Sequence, residues 1–194
     1  MSIESKVLGQ QVAYPTDYCP SILVPVPRSL NREIYDIHTP EELFRGFDTW
    51  HAYEAGFLTR NGLPVCGVLK LVYPANSPCI VESKSLKLYL NSLNMTRLGE
   101  DIPSGIETYL QTVKSDLEQI LQTRIEATFF RQAPEKPYFD FQDYMLLEAM
   151  PGIEQATFTE YSENPALLES RTTGRGEIKV CSHLLRSNCK ITKQ

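Results

Sequence analysis

Two runs rich in aromatic and β-branched residues, 48–58 and 64–73, flank Arg60-Asn61-Gly62, and this arrangement restricts the fold most tightly. Asn-Gly between two such runs is a strong hairpin signal, since both residues tolerate the positive φ of a tight reversal. Apolar and polar residues alternate imperfectly in 65–73, so a strand is predicted there without a defined buried face. Two helical stretches follow. In 83–94, Leu86, Tyr89, Leu90 and Leu93 recur at three- and four-residue intervals and form one apolar stripe. Ser104-Gly-Ile-Glu107 has the capping-box form, with Pro103 just before it, and predicts a second helix start. Ile106, Leu110, Val113, Leu117, Ile120 and Leu121 mark its buried face, opposite Lys114, Ser115, Glu118 and Gln122.

Residues 124–131 then read as a strand with Ile125, Ala127 and Phe129 on one side. Less regular extended stretches are expected near 141–149 and 152–161. Strands, two helices and further strands in this order predict an α+β protein, a sheet with helices packed on one face. The first 45 residues carry too many prolines for a helix or a central strand and read as an extended arm. The expected organisation is an arm over 1–45, a folded module over 46–161 and a polar linker over 162–176. A new element begins at 177 and runs towards 194.

Bulk properties narrow the function. A net charge of −5 repels phosphate backbones, which argues against direct nucleic-acid binding. No apolar run reaches the length of about 18 residues that a membrane span needs, and the N-terminus lacks the pattern of a signal peptide. The five cysteines form no CxxC pair and the three histidines are scattered, a pattern of free thiols in a reducing cytoplasm with no metal site. Cys19, Cys66 and Cys79 read as structural, Cys181 as core, and His38, His51 and Trp50 as structural. Neither a Rossmann fingerprint nor a Walker sequence is present.

Two tracts could carry chemistry. Ile80-Val-Glu-Ser-Lys-Ser-Leu-Lys places a carboxylate, two hydroxyls and two lysines at the start of a helix. Main-chain N–H groups there attract anions, and Lys84 and Lys87 would add positive charge. Glu82 fits either of two roles, a cap for the helix or an acceptor for the N–H edge of a ligand. The second tract is Cys181-Ser-His-Leu-Leu-Arg-Ser-Asn-Cys189-Lys. Cys189 lies between a polar pair and a lysine, and a nearby cation raises the thiolate fraction that attacks electrophiles. An inert thiol near a chain end has the same pattern.

Three segments together resemble one family. Glu82-Ser-Lys-Ser-Leu-Lys-Leu-Tyr89 is similar to the signature of the QueF nitrile reductases, which reduce 7-cyano-7-deazaguanine to its aminomethyl form. Pro25-Val-Pro-Arg-Ser-Leu-Asn-Arg32 resembles the N-terminal arm of the long, two-module members, and Ser182-His-Leu-Leu-Arg-Ser-Asn-Cys189 the run that carries their nucleophile. The resemblance implies a tunnelling fold (T-fold), an antiparallel β-sheet with two helices packed on one face, with 177–194 as the start of a second, truncated module and with chains associating as homo-oligomers, dimers in the full-length protein. It implies that Val81, Glu82 and Ser83 contact a deazapurine substrate, and that Ser83 and Lys84 contact NADPH. Cys189 would be the catalytic nucleophile, forming a thioimide that two hydride deliveries reduce, in the queuosine tRNA-modification pathway of the cytoplasm. No metal is expected. Family members continue past this point with further pocket residues, whereas this sequence ends at Gln194. The expectation is therefore a truncated chain without turnover on its own. A second reading is a non-catalytic T-fold unit that binds a purine-like ligand or supports assembly.

Overall fold

The computed structural model describes residues 15–33, 36–38, 45–131, 143–161, 164–167, 176 and 178–184. They fall into two units, Met1–Glu135 and Lys136–Gln194.

The first unit is built on the predicted hairpin. Strand β2 (Phe47–Leu58) pairs antiparallel with β3 (Pro64–Pro74), from Phe47 opposite Pro74 to Leu58 opposite Pro64. The reversal spans the five residues 59–63. Thr59 N–H donates to Leu63 C=O at 3.0 Å and Gly62 N–H to Thr59 C=O at 2.9 Å, with Gly62 at φ +88°. That left-handed position is where the Asn-Gly signal is used.

Between Ala52 and Ala55 the register shifts by one residue, so Tyr53 and Glu54 together oppose Val68. The bulge changes which parity of β2 faces the core. Trp50 and Ala52 point inward before it, Ala55 and Phe57 after it. On β3 the inward set is regular: Val65, Leu69, Leu71 and Tyr73 are buried. Its alternation looks imperfect in the sequence because Val68 and Val72, also apolar, occupy the other face. β5 (Glu126–Phe130) adds antiparallel to β3, giving the order β2-β3-β5. As predicted, Ile125, Ala127 and Phe129 join the core. At Gly67 a Cβ would lie 2.4 Å from the Phe130 carbonyl oxygen, so this close strand pairing needs glycine.

The two helices supply the opposite wall of that core. α2 (Ser83–Leu93) buries Leu86, Tyr89, Leu90 and Leu93, the predicted stripe. α3 (Ile102–Leu121) begins earlier than predicted. Its N-cap is Asp101, whose carboxylate accepts the Ser104 N–H at 2.9 Å, while Ser104 Oγ accepts the Asp101 N–H at 3.2 Å. Ser104 therefore occupies the third helical position of the capping box and is not its N-cap. Pro103 explains the shift: in the first turn its missing N–H costs nothing, so the helix starts before it. The buried stripe is also rotated, running through Gly105, Tyr109, Val113, Leu117 and Leu121, with Ile106, Leu110 and Ile120 at its margin. Phe57, Tyr109 and Phe129 pack as an aromatic trio, with ring centroids 5.5–6.2 Å apart.

The arm contributes structure of its own. β1 (Pro25–Pro27) pairs antiparallel with β4 (Cys79–Val81), Leu23 is buried, and a four-residue helix, α1 (Ser29–Arg32), follows. This helical turn corrects the expectation of a wholly extended arm. It begins after the last proline of the tract, where nothing opposes helical φ and ψ.

In the second unit β6 (Met145–Leu146) pairs with β7 (Val180–Cys181) in parallel, Met145 opposite Val180 and Leu146 opposite Cys181. Short 3-10 turns at Leu147–Ala149 and Ile153–Gln155 interrupt the stretches expected to be extended. Among the described residues no helix is long and apolar enough to cross a membrane.

Candidate functional site

The tract around Glu82 is the junction of β4 with α2. Val81 ends β4 with 1% exposure, so its side chain belongs to the core and only its main chain is placed to meet a ligand. That main chain bonds the phenol of Tyr73, which also accepts the Trp50 indole N–H at 2.8 Å. Burial pushes the Tyr73 pKa above the usual phenol value, and the two donors only partly offset it.

Glu82 is the N-cap of α2. Oε1 accepts the Lys84 N–H at 3.0 Å and Oε2 the Ser85 N–H at 2.7 Å. Of the two roles open to Glu82 in the sequence, capping is the one its contacts display. Each carboxylate oxygen has two lone pairs, and these bonds use one on each, so an acceptor site remains on both for a ligand's N–H edge. The residue is half-buried, Ser83 is exposed and Lys84 is half-buried on the first turn.

The arm holds this junction from behind. Glu82 N–H donates to Val24 C=O at 2.9 Å, and Val24 N–H donates to Ser85 Oγ at 3.1 Å. Ser85 Oγ in turn donates to Glu82 C=O at 2.8 Å. Val24, Glu82 and Ser85 thus close a ring of main-chain and hydroxyl bonds at the helix start.

Arg28 fixes the next stretch of the arm. Its guanidinium pairs with Asp48 and donates to Ser77 Oγ at 3.0 Å, while Ser77 Oγ donates to Cys79 C=O at 2.9 Å. Tyr18 and Tyr89 donate their phenol protons to one oxygen of Asp116, at 2.7 and 2.6 Å. Burial, with the neighbouring Asp116 carboxylate, raises both phenol pKa values. Arg28, Ser85 and Asp116 were not singled out from sequence. The proline-rich arm was the available signal for Arg28, while Tyr18 and Asp116 have no local pattern that links them.

Of the five candidate site residues, Val81, Glu82, Ser83 and Lys84 are contiguous in the first unit, and Cys189 lies outside the described residues. The described cysteines, Cys19, Cys66, Cys79 and Cys181, are free thiols. Among the described residues, no three His, Cys, Asp or Glu side chains gather as a metal ion would require.

The unit is thus an α+β sheet with helices on one face and an acidic cap where a short strand turns into the first helix. Over residues 14–129 the chain matches the family model described as nitrile reductase, 7-cyano-7-deazaguanine-reductase N-term. Its curated relatives include the NADPH-dependent 7-cyano-7-deazaguanine reductase of Acinetobacter baumannii, 34% identical over 197 residues that span 100% of this chain and 67% of the relative. The enzyme of that name from Coxiella burnetii is 34% identical over 192 residues, 98% of this chain and 66% of the relative. The chain belongs to the nitrile reductase family of 7-cyano-7-deazaguanine reductases, and it spans about two thirds of the length of these relatives.

Proposed function

We propose that this chain serves the NADPH-dependent reduction of the nitrile of 7-cyano-7-deazaguanine to the aminomethyl group, a step of queuosine biosynthesis in the cytoplasm. The observation that carries the reading is the Glu82 carboxylate at the β4–α2 junction, oriented by two N–H groups of its own helix on a residue whose main-chain N–H donates to the arm. An acceptor pair in this position suits the two adjacent N–H donors of a guanine-like edge, because charge-assisted bonds to a carboxylate are strong and directional. The Val81 main chain and the exposed Ser83 would line the same edge.

Ser83 and Lys84 suit a phosphate, since a hydroxyl and an ammonium sit together at a helix N-terminus. NADPH bound there supplies hydride. The chain's own residues do the rest. Glu82 orients the heterocycle, and the Cys189 thiolate adds to the nitrile carbon. One C≡N π pair moves to nitrogen, which takes a proton, and the product is a thioimide with no leaving group. Addition turns an inert triple bond into a C=N bond that accepts hydride. The substrate is the free base, so the acidic chain needs no contact with tRNA. Association of chains into homodimers belongs to the same reading.

Titration of the chain with 7-cyano-7-deazaguanine, followed by calorimetry and by the fluorescence of the single tryptophan, Trp50, tests the binding half of this proposal. Trp50 reaches the site through Tyr73, whose phenol bonds the Val81 main chain. Saturable binding that 7-aminomethyl-7-deazaguanine competes away is expected. A folded chain that shows neither heat nor fluorescence change would count against it.

A further inference from the structure

The arm meets the Glu82 junction as the end of a strand ladder. Arg28 N–H donates to Pro78 C=O at 3.0 Å and Glu82 N–H to Val24 C=O at 2.9 Å, on either side of Val26 opposite Ile80. Pro25 and Pro27 lie opposite Val81 and Cys79, between these pairs, so their missing N–H groups cost the ladder nothing. Each bonded pair of an antiparallel ladder exchanges two bonds, but Val24 and Glu82 exchange one directly. Glu82 C=O has turned into the helix, where it accepts Leu86 N–H at 3.0 Å. The Ser85 hydroxyl supplies the second bond: it accepts Val24 N–H at 3.1 Å and donates to Glu82 C=O at 2.8 Å. Ser92, two turns further along α2, repeats the device, accepting Cys19 N–H at 3.2 Å and donating to Tyr89 C=O at 2.6 Å. Both serines are fully buried. Two hydroxyls thus strap the arm to α2, and they differ in place. Ser85 N–H also holds Glu82 Oε2 at 2.7 Å, while Ser92 lies near the far end of the helix.

We infer that Ser85 is a positioning residue for the Glu82 carboxylate, acting through the bonds its hydroxyl makes between the arm and the helix start, whereas Ser92 anchors the arm alone. This rests on the reading of Glu82 as the acceptor for a guanine-like edge. Without the Ser85 hydroxyl, Val24 N–H loses its acceptor at a buried position, and an unpaired donor there is costly enough to move the arm or admit water. Either response loosens the first turn of α2, whose Lys84 and Ser85 N–H groups set the direction of the carboxylate. A paired N–H edge needs both carboxylate oxygens in place, so a loosened Glu82 weakens the ligand's bonds without removing them. A loss equal to one ordinary hydrogen bond is about fivefold in affinity.

The test compares Ser85→Ala with Ser92→Ala, because both delete the same pair of hydrogen bonds at fully buried positions. Both should lower the urea midpoint. Calorimetric titration with 7-cyano-7-deazaguanine should give an affinity about fivefold weaker for Ser85→Ala and within about twofold of the wild type for Ser92→Ala. In a Glu82→Ala background, Ser85→Ala should weaken binding by no more than about twofold further, because the carboxylate through which it acts is gone. Ser85→Cys, which fills the space with a weak donor and acceptor, carries the same comparison if the alanine chain does not fold. Amide exchange gives an independent reading: Ser85→Ala should speed it at residues 24, 84 and 85, and Ser92→Ala at Cys19 and not at those three. The inference is overturned if the two variants weaken binding alike, if Ser85→Ala binds as the wild type does, or if its effect persists in full on Glu82→Ala. A wild-type chain that does not bind the ligand would remove the reading of Glu82 as its acceptor alone. Exchange would still decide the role of Ser85, supporting it if only Ser85→Ala speeds exchange at residues 84 and 85, and overturning it if the two variants leave those amides alike.

Discussion

Replacing Glu82 by serine separates the two roles that one carboxylate combines. Serine is among the best N-cap residues, so Glu82→Ser should keep α2 capped and change unfolding free energy by less than about 0.5 kcal/mol. Alanine offers no acceptor. Glu82→Ala leaves the Lys84 and Ser85 N–H groups without their partner and should cost about 1 kcal/mol. The ligand responds differently. A hydrogen bond to a charged group contributes about 1.5–3 kcal/mol, and a guanine-like edge would make two to this carboxylate. Even the lower value gives about 3 kcal/mol, or roughly a hundredfold in affinity. The serine hydroxyl is too short to reach that edge, so both variants should lose the same affinity while only alanine loses stability. Urea denaturation followed at Trp50 measures the first quantity, and calorimetric titration with 7-cyano-7-deazaguanine the second. The reasoning fails if Glu82→Ser binds within about threefold of the wild type, because the carboxylate would then serve only as a cap. It fails equally if serine destabilises as much as alanine.

Three further outcomes follow from the core and the caps. A Cβ at Gly105 would lie 2.4 Å from a ring carbon of Phe57 and 2.8 Å from the Leu98 carbonyl oxygen. Overpacking of about 1–3 kcal/mol should therefore outweigh the helix-propensity gain of about 1 kcal/mol, and thermal melting of Gly105→Ala should be lowered; a raised midpoint contradicts this. Tyr109 is fully buried and its hydroxyl has no hydrogen-bond partner among the described residues, so Tyr109→Phe should raise stability by about 1 kcal/mol in urea denaturation. A loss of stability there would mean that the hydroxyl is satisfied. The Ser104 hydroxyl and N–H hold the Asp101 carboxyl below the usual aspartate pKa, so the cap of α3 is fully formed above that usual value and is lost only as pH falls through the lowered one. Protection of the Ser104 amide in exchange experiments should persist accordingly, and in Asp101→Asn it should lose this pH dependence.

Local patterns made the strands and helices legible, while long-range and bulged features stayed hidden. Leu86, Tyr89, Leu90 and Leu93 predict α2 because their spacing matches a helical face, and every one is buried. Ser104 and Glu107 mark the entry to α3 to within a turn, but its N-cap is Asp101, because Pro103 sits inside the first turn and not before it. The β2 bulge leaves no mark, since Ala52-Tyr-Glu-Ala55 suits a regular strand as well as an irregular one. The inward face of β3 was obscured by valines on its other side. Glu82 was legible as a helix start with chemical potential, but not the ring of bonds through Val24 and Ser85, which joins residues 61 positions apart. Tyr18 and Asp116 are 98 apart, and nothing local connects them. The hydrogen bond from the Ser182 hydroxyl to the Glu148 carboxylate, 34 positions apart, is of the same kind.

The most direct test of the central claim is intact-mass spectrometry of the chain after mixing with 7-cyano-7-deazaguanine in the absence of NADPH. The account predicts a mass increase equal to that of the ligand, present in the wild type and absent in Cys189→Ala. A folded wild-type chain that gains no mass, or a Cys189→Ala variant that gains as much as the wild type, would contradict it.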